Sequence, residues 1–266
     1  MLQHQTPIPV TPPGKHAFFF DVDGTLAPLQ STPELVTVSA EVCNNLQLLF
    51  QKSGGAVAII SGRPLIQIDQ LLSPVLLPAA GVHGAERRDN KGMINRMMPG
   101  AELLTEAEQQ LKLGISDLPG VRLEKKGIAF ALHYRQAKQF AEQTEALART
   151  VVSQIPELTL VSGKCVVELK PSNIDKGKAI AQFMQSAPFH GRIPVFLGDD
   201  LTDERGFIAV NNMRGISVKI GKGKSQAKFR LENTTEVHQW IASILNTESR
   251  QSQPTKHDKE SPGWTD

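Results

Sequence analysis

One short run, FFFDVDGTL at residues 18–26, constrains the fold of this chain more than any other feature. Its phenylalanines form a buried-strand pattern that stops at two carboxylates, Asp21 and Asp23. Side chains two positions apart on a strand point to the same side, so both carboxylates can face one site. Gly24 permits a tight turn, and Thr25 adds a hydroxyl at its exit. The run therefore predicts a strand that ends at a carboxylate site.

Two simpler interpretations of the same residues have to be weighed. Asp-x-Asp-Gly is common in turns, because Asp and Gly both favour turn conformations. A calcium loop of the EF-hand type needs Gly at position six and Glu at position twelve. Counted from Asp21, Leu26 falls at six and Thr32 at twelve, which excludes the calcium loop. The turn interpretation stays open for this segment alone, and the rest of the chain decides.

The composition is that of a soluble globular protein. The chain has 266 residues, of which 40% are hydrophobic and 21% charged, enough for one large or two modest domains. The net charge of +2 gives no argument for binding nucleic acid or an anionic membrane. We expect a solvated face, rather than a polyanion site, at the basic cluster of Lys219, Lys222, Lys224, Lys228 and Arg230.

The cysteines and the termini indicate a cytoplasmic protein. Cys43 and Cys165 are the two cysteines, too few for a disulfide framework or a zinc site. Residues 1–16 contain several prolines and no apolar core, so they are predicted to be a flexible leader rather than a signal peptide or a membrane helix. Residues 246–266 are polar without periodicity and are predicted to be disordered.

Strand and helix patterns alternate along the chain, with a change of texture in the middle. Before the change, strands are predicted over 17–20, 56–60 and 76–82, with a helix over 38–51 and another starting near Pro64. After it, helices are predicted over 175–185, 202–210 and 236–245, with strands over 194–197 and 215–220. Between them, short alternating strands are predicted over 121–125, 128–134, 158–161 and 165–169, with helices over 101–113 and 136–154.

This arrangement predicts an α/β fold: a doubly wound parallel-sheet, Rossmann-like core with an inserted, smaller α/β cap domain. The core is predicted to comprise residues 17–82 and 170–245, and the cap residues 83–169.

Polar clusters fall where predicted strands of the core end or where a helix begins. Ligands of open α/β sheets bind at the carboxyl ends of the strands. Asp21 and Asp23 follow the first strand, Ser61 follows the second, and Lys176 opens the first helix after the insertion. A later strand ends in a carboxylate group formed by Asp199, Asp200 and Asp203. Four such clusters in matching positions predict one common site.

Each cluster has a role that phosphoryl transfer requires. A carboxylate nucleophile, Asp21, would form an acyl-phosphate and split one hard hydrolysis into two easier steps. Asp23 would protonate the leaving alkoxide and then take a proton from water. Lys176 would neutralise charge and restrain Asp21, while the Ser61 hydroxyl would hold the phosphate oxygens that are not transferred.

A hard divalent cation would offset the repulsion between two anions, and Mg²⁺ suits a site of carboxylates and phosphate. Its predicted ligands are the side chains of Asp21 and Asp199 and the backbone carbonyl of Asp23. Of the two remaining carboxylates, we expect Asp200 rather than Asp203 in the magnesium shell, although either could instead cap the following helix.

The order of these motifs resembles the haloacid dehalogenase superfamily of phosphatases, in members that carry a cap between the Ser and Lys motifs. Four further segments are similar to trehalose-6-phosphate phosphatases: GVHGAE at 81–86, EKKG at 124–127, GKCVVELK at 163–170 and GDDLTDE at 198–204. The resemblance runs from about residue 18 to 245. It implies that Glu124, Lys126 and Glu168 hold the distal glucose of a disaccharide, whereas the residues alone would favour a solvated sheet face.

Several other residues are weaker candidates for substrate contact. Gly62 and Arg63 directly follow Ser61 and could reach phosphate, although Arg also caps and pairs. His83, near the predicted cap hinge, and His133, on a cap strand, could contact substrate, although such histidines more often pack or lie at the surface. The role of Arg135 stays open for the same reason as that of Arg63. Asp175 is interpreted as a helix N-cap.

The resemblance implies a magnesium-dependent phosphatase that hydrolyses trehalose 6-phosphate, acting as a cytoplasmic monomer with a small-molecule substrate, without nucleic acid or membrane partners. A phosphomannomutase or a sucrose-phosphate phosphatase would share the core motifs, and only the cap residues argue against them. A non-catalytic sugar-phosphate sensor is a second alternative, disfavoured because Asp21, Asp23, Lys176 and Asp199 are all present. A polynucleotide-binding role ranks last, given the near-neutral charge and an aromatic content of 5%.

Overall fold

Two β-sheets organise the chain. The computed structural model describes residues 7–96, 100–172 and 174–247. Within these ranges the chain forms one sheet of eight strands and one of four. In the same ranges, no helix combines the length and the apolar character that crossing a membrane requires.

The predicted strands and helices are all present, with ends displaced by a few residues. The strands are β1 His16–Phe20, β2 Val57–Ile60, β3 Ala79–Gly81, β4 Glu86–Arg88, β5 Ile94–Arg96, β6 Arg122–Lys126, β7 Ala129–His133, β8 Leu158–Gly163, β9 Val166–Pro171, β10 Ile193–Gly198, β11 Ile216–Ile220 and β12 Phe229–Leu231. The helices are α1 Ala40–Lys52, α2 Leu65–Leu72, α3 Ala101–Gly114, α4 Ala141–Gln154, α5 Lys176–Phe183, α6 Glu204–Asn212 and α7 Thr234–Thr247.

The larger sheet has the strand order β12-β11-β10-β1-β2-β3-β4-β5. Strands β12 to β3 run parallel, and β1 lies between β10 and β2. In this register Phe20, the last residue of β1, pairs with Leu197 of β10 and with Ile59 of β2. The residues that follow β1 and β10 therefore emerge side by side at the carboxyl edge.

Helices cover both faces of this sheet, which explains why its central strands are apolar throughout. Phe18 and Phe20 pack on one face in a cluster to which α1, α2 and α7 contribute Leu46, Ile68 and Ile241, among others. Phe19 points to the opposite face, where α5 and α6 contribute Ile180 and Phe207. The alternation along β1 thus divides three phenylalanines between two cores. The doubly wound core predicted from the sequence is present.

The smaller sheet is antiparallel, with the order β6-β7-β9-β8. Its own core contains Phe130 and Leu132 of β7 together with Leu111 of α3 and Val151 of α4. The helices therefore cover one face of the sheet. The other face carries polar side chains, including Glu124 and Glu168.

The larger sheet continues past the residue at which the cap was expected to begin. The predicted insertion started at residue 83, but β4 and β5 form an antiparallel hairpin that extends the larger sheet from β3. The short alternating pattern after residue 83 is typical of antiparallel strands, and such strands can lengthen a parallel sheet at its edge. The sequence pattern does not specify which strands pair with each other. In the structure, the pairing of β4 with β3 and of β5 with β4 places residues 86–96 in the larger sheet. The edge strand β12 was also not predicted.

Residues 7–15, part of the predicted leader, contact the larger sheet. Ile8 packs against the cluster around Phe18. The guanidinium of Arg192 donates to the carbonyl oxygen of Pro13 at 2.9 Å, and the backbone N–H of Ile193 donates to that of Lys15. Residues 1–6 and 248–266, the rest of the predicted leader and most of the tail, lie outside the described residues, and α7 continues into the predicted tail as far as residue 247.

We predict that Gly206→Ala destabilises the protein although alanine favours helix. A Cβ at Gly206 of α6 would lie 2.4 Å from the ring of buried Phe196. The overlap should outweigh the gain in helix propensity and lower the free energy of unfolding by about 1–2 kcal/mol. Denaturant unfolding would measure this. Gly14→Ala is the control, because nothing lies within 4 Å of its Cβ position, and equal stability of the two variants would contradict the packing.

Candidate active site

Three buried carboxylates meet at the carboxyl edge of the larger sheet. Asp21 follows β1, Asp199 follows β10, and Asp203 lies one turn further on. The N–H of Asp21 donates to the carbonyl oxygen of Leu197 at 3.0 Å, so the pairing of β1 with β10 continues up to the site. One carboxylate oxygen from each of the three residues lies within 4.8 Å of the others.

Lys176 neutralises part of this negative charge. It is the first residue of α5 and is 2% exposed. Its ammonium donates to Oδ1 of Asp21 at 2.8 Å and to Oδ1 of Asp203 at 2.6 Å. Asp175 caps the same helix by accepting from the N–H of Lys178 at 2.8 Å, which confirms the interpretation of Asp175 as an N-cap.

Burial sets the protonation behaviour of the cluster. It raises the pKa of Asp21 well above its usual range; Lys176 opposes the rise, and Asp203, Asp199 and Asp23 add to it. Burial also raises the pKa of Asp199 to about 7, with further repulsion from Asp203 and Asp200. For Lys176 burial acts to lower the pKa, but Asp203 and Asp21 outweigh it and raise the pKa above its ordinary value. One ammonium is therefore too little positive charge for three carboxylates.

The donors of the cluster suit a hard divalent cation. Asp203 is occupied, because Oδ1 accepts from Lys176 and Oδ2 accepts from the N–H groups of Asp199 and Asp200, each at 2.9 Å. Asp21 and Asp199 are left as the side chains that can offer oxygen to an ion. Asp199 also lies over Gly24, and a Cβ at Gly24 would overlap Oδ2 of Asp199. The φ of Gly24 is +80°, so both the close contact and the backbone conformation require glycine here.

The buried acidic cluster contains Asp203 but not Asp200. Asp200 lines the same cavity, and its place in the magnesium shell stays a prediction. Asp200 is only partly buried and begins the short 3₁₀ helix Leu201–Asp203, which turns Asp203 back toward the sheet. Adjacent acidic residues look equivalent in a sequence, and the helical turn decides which of them faces inward.

Arg63 engages the second carboxylate of the opening motif. Its Nε donates to Oδ2 of Asp23 and one of its terminal N–H groups donates to Oδ1, both at 2.7 Å. The backbone N–H of Arg63 donates to Oγ of Ser61 at 3.1 Å, and Ser61 is buried at the end of β2. Because Ser61 accepts this bond, its own O–H can still donate to a ligand.

The polar face of the smaller sheet carries the predicted sugar contacts. Ala131 of β7 pairs with Glu124 of β6 and with Glu168 of β9, so the two carboxylates share one face across a small side chain. The ammonium of Lys126 donates to Oε1 of Glu168 at 2.6 Å and lies 4.0 Å from Oε2 of Glu124. Nε2 of His133 bonds Oε2 of Glu124 at 2.7 Å. The structure thus brings these four predicted residues together.

His83 links the two sheets. It follows β3 in a left-handed backbone conformation, with φ at 57°, and its ring packs on Gly62. Nε2 of His83 bonds Oε2 of Glu168 at 2.5 Å. Burial lowers the pKa of His83, which Glu168 partly offsets; for Glu168, His83 and Lys126 outweigh burial and hold the pKa well below its usual range.

Two cap cations complete the link and were not assigned a role from the sequence. Lys164, in the turn between β8 and β9, has its Nζ 3.8 Å from Oδ2 of Asp199. Arg135, which the sequence left open, donates to the carbonyl oxygen of Gln30 at 3.2 Å and to that of Lys164 at 3.4 Å. A lysine in a turn carries no distinctive signal, so only the fold could indicate Lys164.

Lys219 corrects the expectation of a solvated basic face. It is buried at the end of β11, and its ammonium donates to the backbone carbonyl oxygens of Asp199 and Ile220. It therefore supports the loop that carries Asp199. The other cations of the cluster stay partly or fully exposed, at Lys222, Lys224, Lys228 and Arg230.

A cavity of about 250 Å³ lies between the two sheets. Asp21, Asp23 and Asp199 line its wall on the larger sheet, and Glu124 and Glu168 line the opposite wall. The cavity therefore has an acidic end and an end of paired charges that can exchange hydrogen bonds with hydroxyl groups.

We predict that Asp199→Asn stabilises the protein when divalent cations are removed with EDTA. The pKa of Asp199 is about 7 in the folded state against an ordinary 3.8. The folded protein therefore binds more protons between these values, and the contribution of Asp199 to stability falls as the pH rises from about 4 to about 7. At about pH 8 the variant should have a free energy of unfolding about 1–3 kcal/mol higher, and at about pH 4 no difference.

Urea unfolding at both pH values would test this. The matched control is Asp117→Asn, which replaces an exposed carboxylate in the loop after α3. Saturating Mg²⁺ should stabilise the parent protein and not the variant. A variant less stable than the parent at the higher pH in EDTA would contradict the assigned electrostatic cost.

Comparison with known proteins agrees with this geometry. The trehalose-phosphatase family model matches residues 19–235. A trehalose-6-phosphate phosphatase of Escherichia coli is 47% identical over 244 residues, 92% of each chain, and a probable trehalose-phosphate phosphatase of Sinorhizobium fredii is 40% identical over 206 residues, 77% of each chain. The C-terminal domain of Candida albicans trehalose-6-phosphate phosphatase has the same fold, with a TM-score of 0.78, 20% identity, and coverage of 88% of this chain and 92% of that one. The chain belongs to the trehalose-phosphatase family.

Proposed function

We propose that this chain hydrolyses trehalose 6-phosphate to trehalose and inorganic phosphate, with Mg²⁺ and through an aspartyl-phosphate at Asp21. The observation that carries the proposal is the two-ended cavity, with the Asp21–Lys176 pair at one end and Glu124, Lys126 and Glu168 at the other. The names of the relatives from Escherichia coli and Sinorhizobium fredii support the substrate.

The oxygen donors present suit a hard cation such as Mg²⁺. Asp21 and Asp199 would supply side-chain oxygens, and Asp23 its backbone carbonyl oxygen. When bound, Mg²⁺ would screen the negative charges of nucleophile and phosphate and polarise the phosphoryl group. Asp203 would act through its contacts, because it orients Lys176 and accepts from the backbone N–H of Asp199. Asp200, which lines the cavity beside Asp199, would complete the magnesium shell.

The chain supplies the groups for both chemical steps. In the first, a carboxylate oxygen of Asp21 bonds to phosphorus, the bond from phosphorus to the sugar oxygen breaks, and Asp23 gives that oxygen a proton. In the second, Asp23 takes a proton from water, whose oxygen bonds to phosphorus and releases Asp21. Lys176 holds Asp21 throughout, and the O–H of Ser61, with the backbone N–H of Gly62, would hold the other phosphate oxygens.

The smaller sheet would select the sugar. We propose that residues 100–169 form the cap, since β4 and β5 belong to the larger sheet. Carboxylates accept hydrogen bonds from hydroxyl groups and an ammonium donates to them, so Glu124, Lys126 and Glu168 suit the distal glucose. Their mutual ion pairs set their positions before substrate arrives, and His83 and His133 would support Glu168 and Glu124 respectively. We also propose that the protein acts in the cytoplasm as a monomer.

We predict that Asp21→Asn abolishes phosphate release from trehalose 6-phosphate. An amide is a poor nucleophile, and loss of such a group should lower kcat by about 10⁴-fold or more. Phosphate release would be measured with Mg²⁺ and with EDTA, which should abolish it. Asp175→Asn is a matched control, since Asn caps a helix as well as Asp does. A folded Asp21→Asn protein with near-normal turnover would exclude the aspartyl-phosphate.

We predict that Glu168→Gln lowers activity selectively on the disaccharide. Loss of a charged hydrogen bond should reduce kcat/KM for trehalose 6-phosphate by about 10- to 100-fold. The value for 4-nitrophenyl phosphate, which has no sugar, should stay within about threefold. Glu157→Gln, at an exposed cap position, is the control. An equal loss on both substrates would mean that Glu168 acts on the chemistry or the fold.

A panel of sugar phosphates tests the substrate itself. Similar kcat/KM values for glucose 6-phosphate, mannose 6-phosphate and trehalose 6-phosphate would overturn the assignment while leaving the phosphatase chemistry intact. Conversion of a sugar phosphate into an isomer without release of phosphate would indicate a mutase.

A further inference from the structure

Asp23, the proposed acid and base, is held by Arg63 in one orientation. Arg63 donates to both of its carboxylate oxygens, from Nε and from a terminal N–H group, at 2.7 Å each. This two-point contact matches the fork of the guanidinium to the carboxylate. A carboxylate oxygen has two lone pairs, so each oxygen of Asp23 can still exchange a proton while it accepts from Arg63. The contact with Arg63 therefore fixes the directions in which the remaining lone pairs of Asp23 point.

Arg63 is the fixed member of the pair. Its side chain is 9% exposed, whereas that of Asp23 is 32% exposed. The terminal nitrogen that contacts Asp23 also donates to the carbonyl oxygen of Pro33 at 3.1 Å, and the backbone N–H of Arg63 is bonded to Ser61. The guanidinium is thus anchored without Asp23. The position of the guanidinium therefore sets the position of Asp23.

The guanidinium has little capacity left for a phosphate oxygen. Three hydrogen bonds, two to Asp23 and one to Pro33, use the Nε side of the fork, and the other terminal nitrogen lies 3.5 Å from Oε1 of Gln67. From the sequence, Arg63 was a candidate for phosphate contact or for pairing with another side chain. The bonding in the structure favours an action through Asp23 instead.

Arg63 also faces the cap. Burial acts to lower its pKa, but Asp23, then Glu124 of the smaller sheet and Asp21 outweigh it and raise the pKa above its ordinary value. Asp23 in turn lies close enough to the cap to act on the ammonium of Lys126. The Asp23–Arg63 pair therefore lies where the catalytic end of the cavity meets the sugar-binding end, which is where the leaving sugar oxygen has to be.

We propose that Arg63 is the positioning residue for Asp23: its two bonds hold the carboxylate so that a lone pair not used by Arg63 points at the sugar oxygen. This inference rests on the proposed function, because it takes Asp23 as the acid and base. It assigns Arg63 no contact with the phosphoryl group.

The leaving group distinguishes positioning from phosphate binding. The sugar alkoxide needs a proton to depart, whereas 4-nitrophenolate leaves without one. Since kcat/KM reports events up to the release of the leaving group, only the value for trehalose 6-phosphate should depend on Asp23. Arg63→Met should lower that value by about 10- to 100-fold and leave the value for 4-nitrophenyl phosphate within about threefold.

A double-mutant cycle supplies the second readout. Asp23→Asn should show the same selectivity for the sugar substrate, and Asp23→Asn with Arg63→Met should be no worse than Asp23→Asn alone within about threefold. Arg63→Lys keeps the charge but cannot make the two-point contact, so it should show a smaller loss with the same selectivity for the sugar substrate. It replaces Arg63→Met in the test if that variant does not fold. Gln67→Met, which removes only the long contact, is the matched control and should behave as the parent.

The outcomes separate the two proposals. A loss on both substrates that multiplies with the Asp23→Asn loss would mean that Arg63 binds phosphate, and would overturn the positioning role. Unchanged activity of Arg63→Met on both substrates would overturn it as well. If the parent protein does not release phosphate from trehalose 6-phosphate, or if Asp23→Asn keeps full activity on it, the proposed function is wrong and this inference falls with it.

Discussion

The buried contact of Lys176 with Asp21 and Asp203 is the interaction on which the site depends. Burying two carboxylates away from water costs free energy, and the ammonium of Lys176 between them makes their burial possible. Asp203 extends the effect, because its second oxygen accepts from the N–H groups of Asp199 and Asp200 and so shapes the loop that carries Asp199. Removing Lys176 would leave the buried charges of Asp21 and Asp203 without the cation that neutralises them.

The smaller sheet is joined to this centre by polar contacts. His83 bonds Glu168, Arg135 reaches the carbonyl oxygen of Gln30, and Lys164 faces Asp199. Contacts of this kind can be exchanged for contacts with a ligand, and buried apolar contacts of Val82, Ala85 and Ile174 accompany them. The side of the smaller sheet that faces the acidic cluster is therefore polar and charged.

The fold class and most of the site could be predicted from the sequence. Apolar runs that end at Asp21, Ser61 and Asp199 indicate parallel strands, and parallel strands bring their carboxyl ends to one edge. The pairing of strands and the conformation of local turns could not be predicted from the sequence. The hairpin β4–β5 joined the larger sheet, Asp203 rather than Asp200 turned inward, and Lys219 was buried rather than solvated. In each case the competing positions look alike in the chain and differ only in what surrounds them.

The sequence by itself determined which chemical groups exist and which of them share an edge or a face: Asp21 with Asp23, and Glu124 with Lys126. Spacing suffices for this, because periodicities of strands and helices are local properties. Only the tertiary structure decided which groups pair across the chain. Arg63 meets Asp23 and His83 meets Glu168, since such contacts join residues far apart in sequence, and their partners are chosen by packing and by the need to neutralise buried charge.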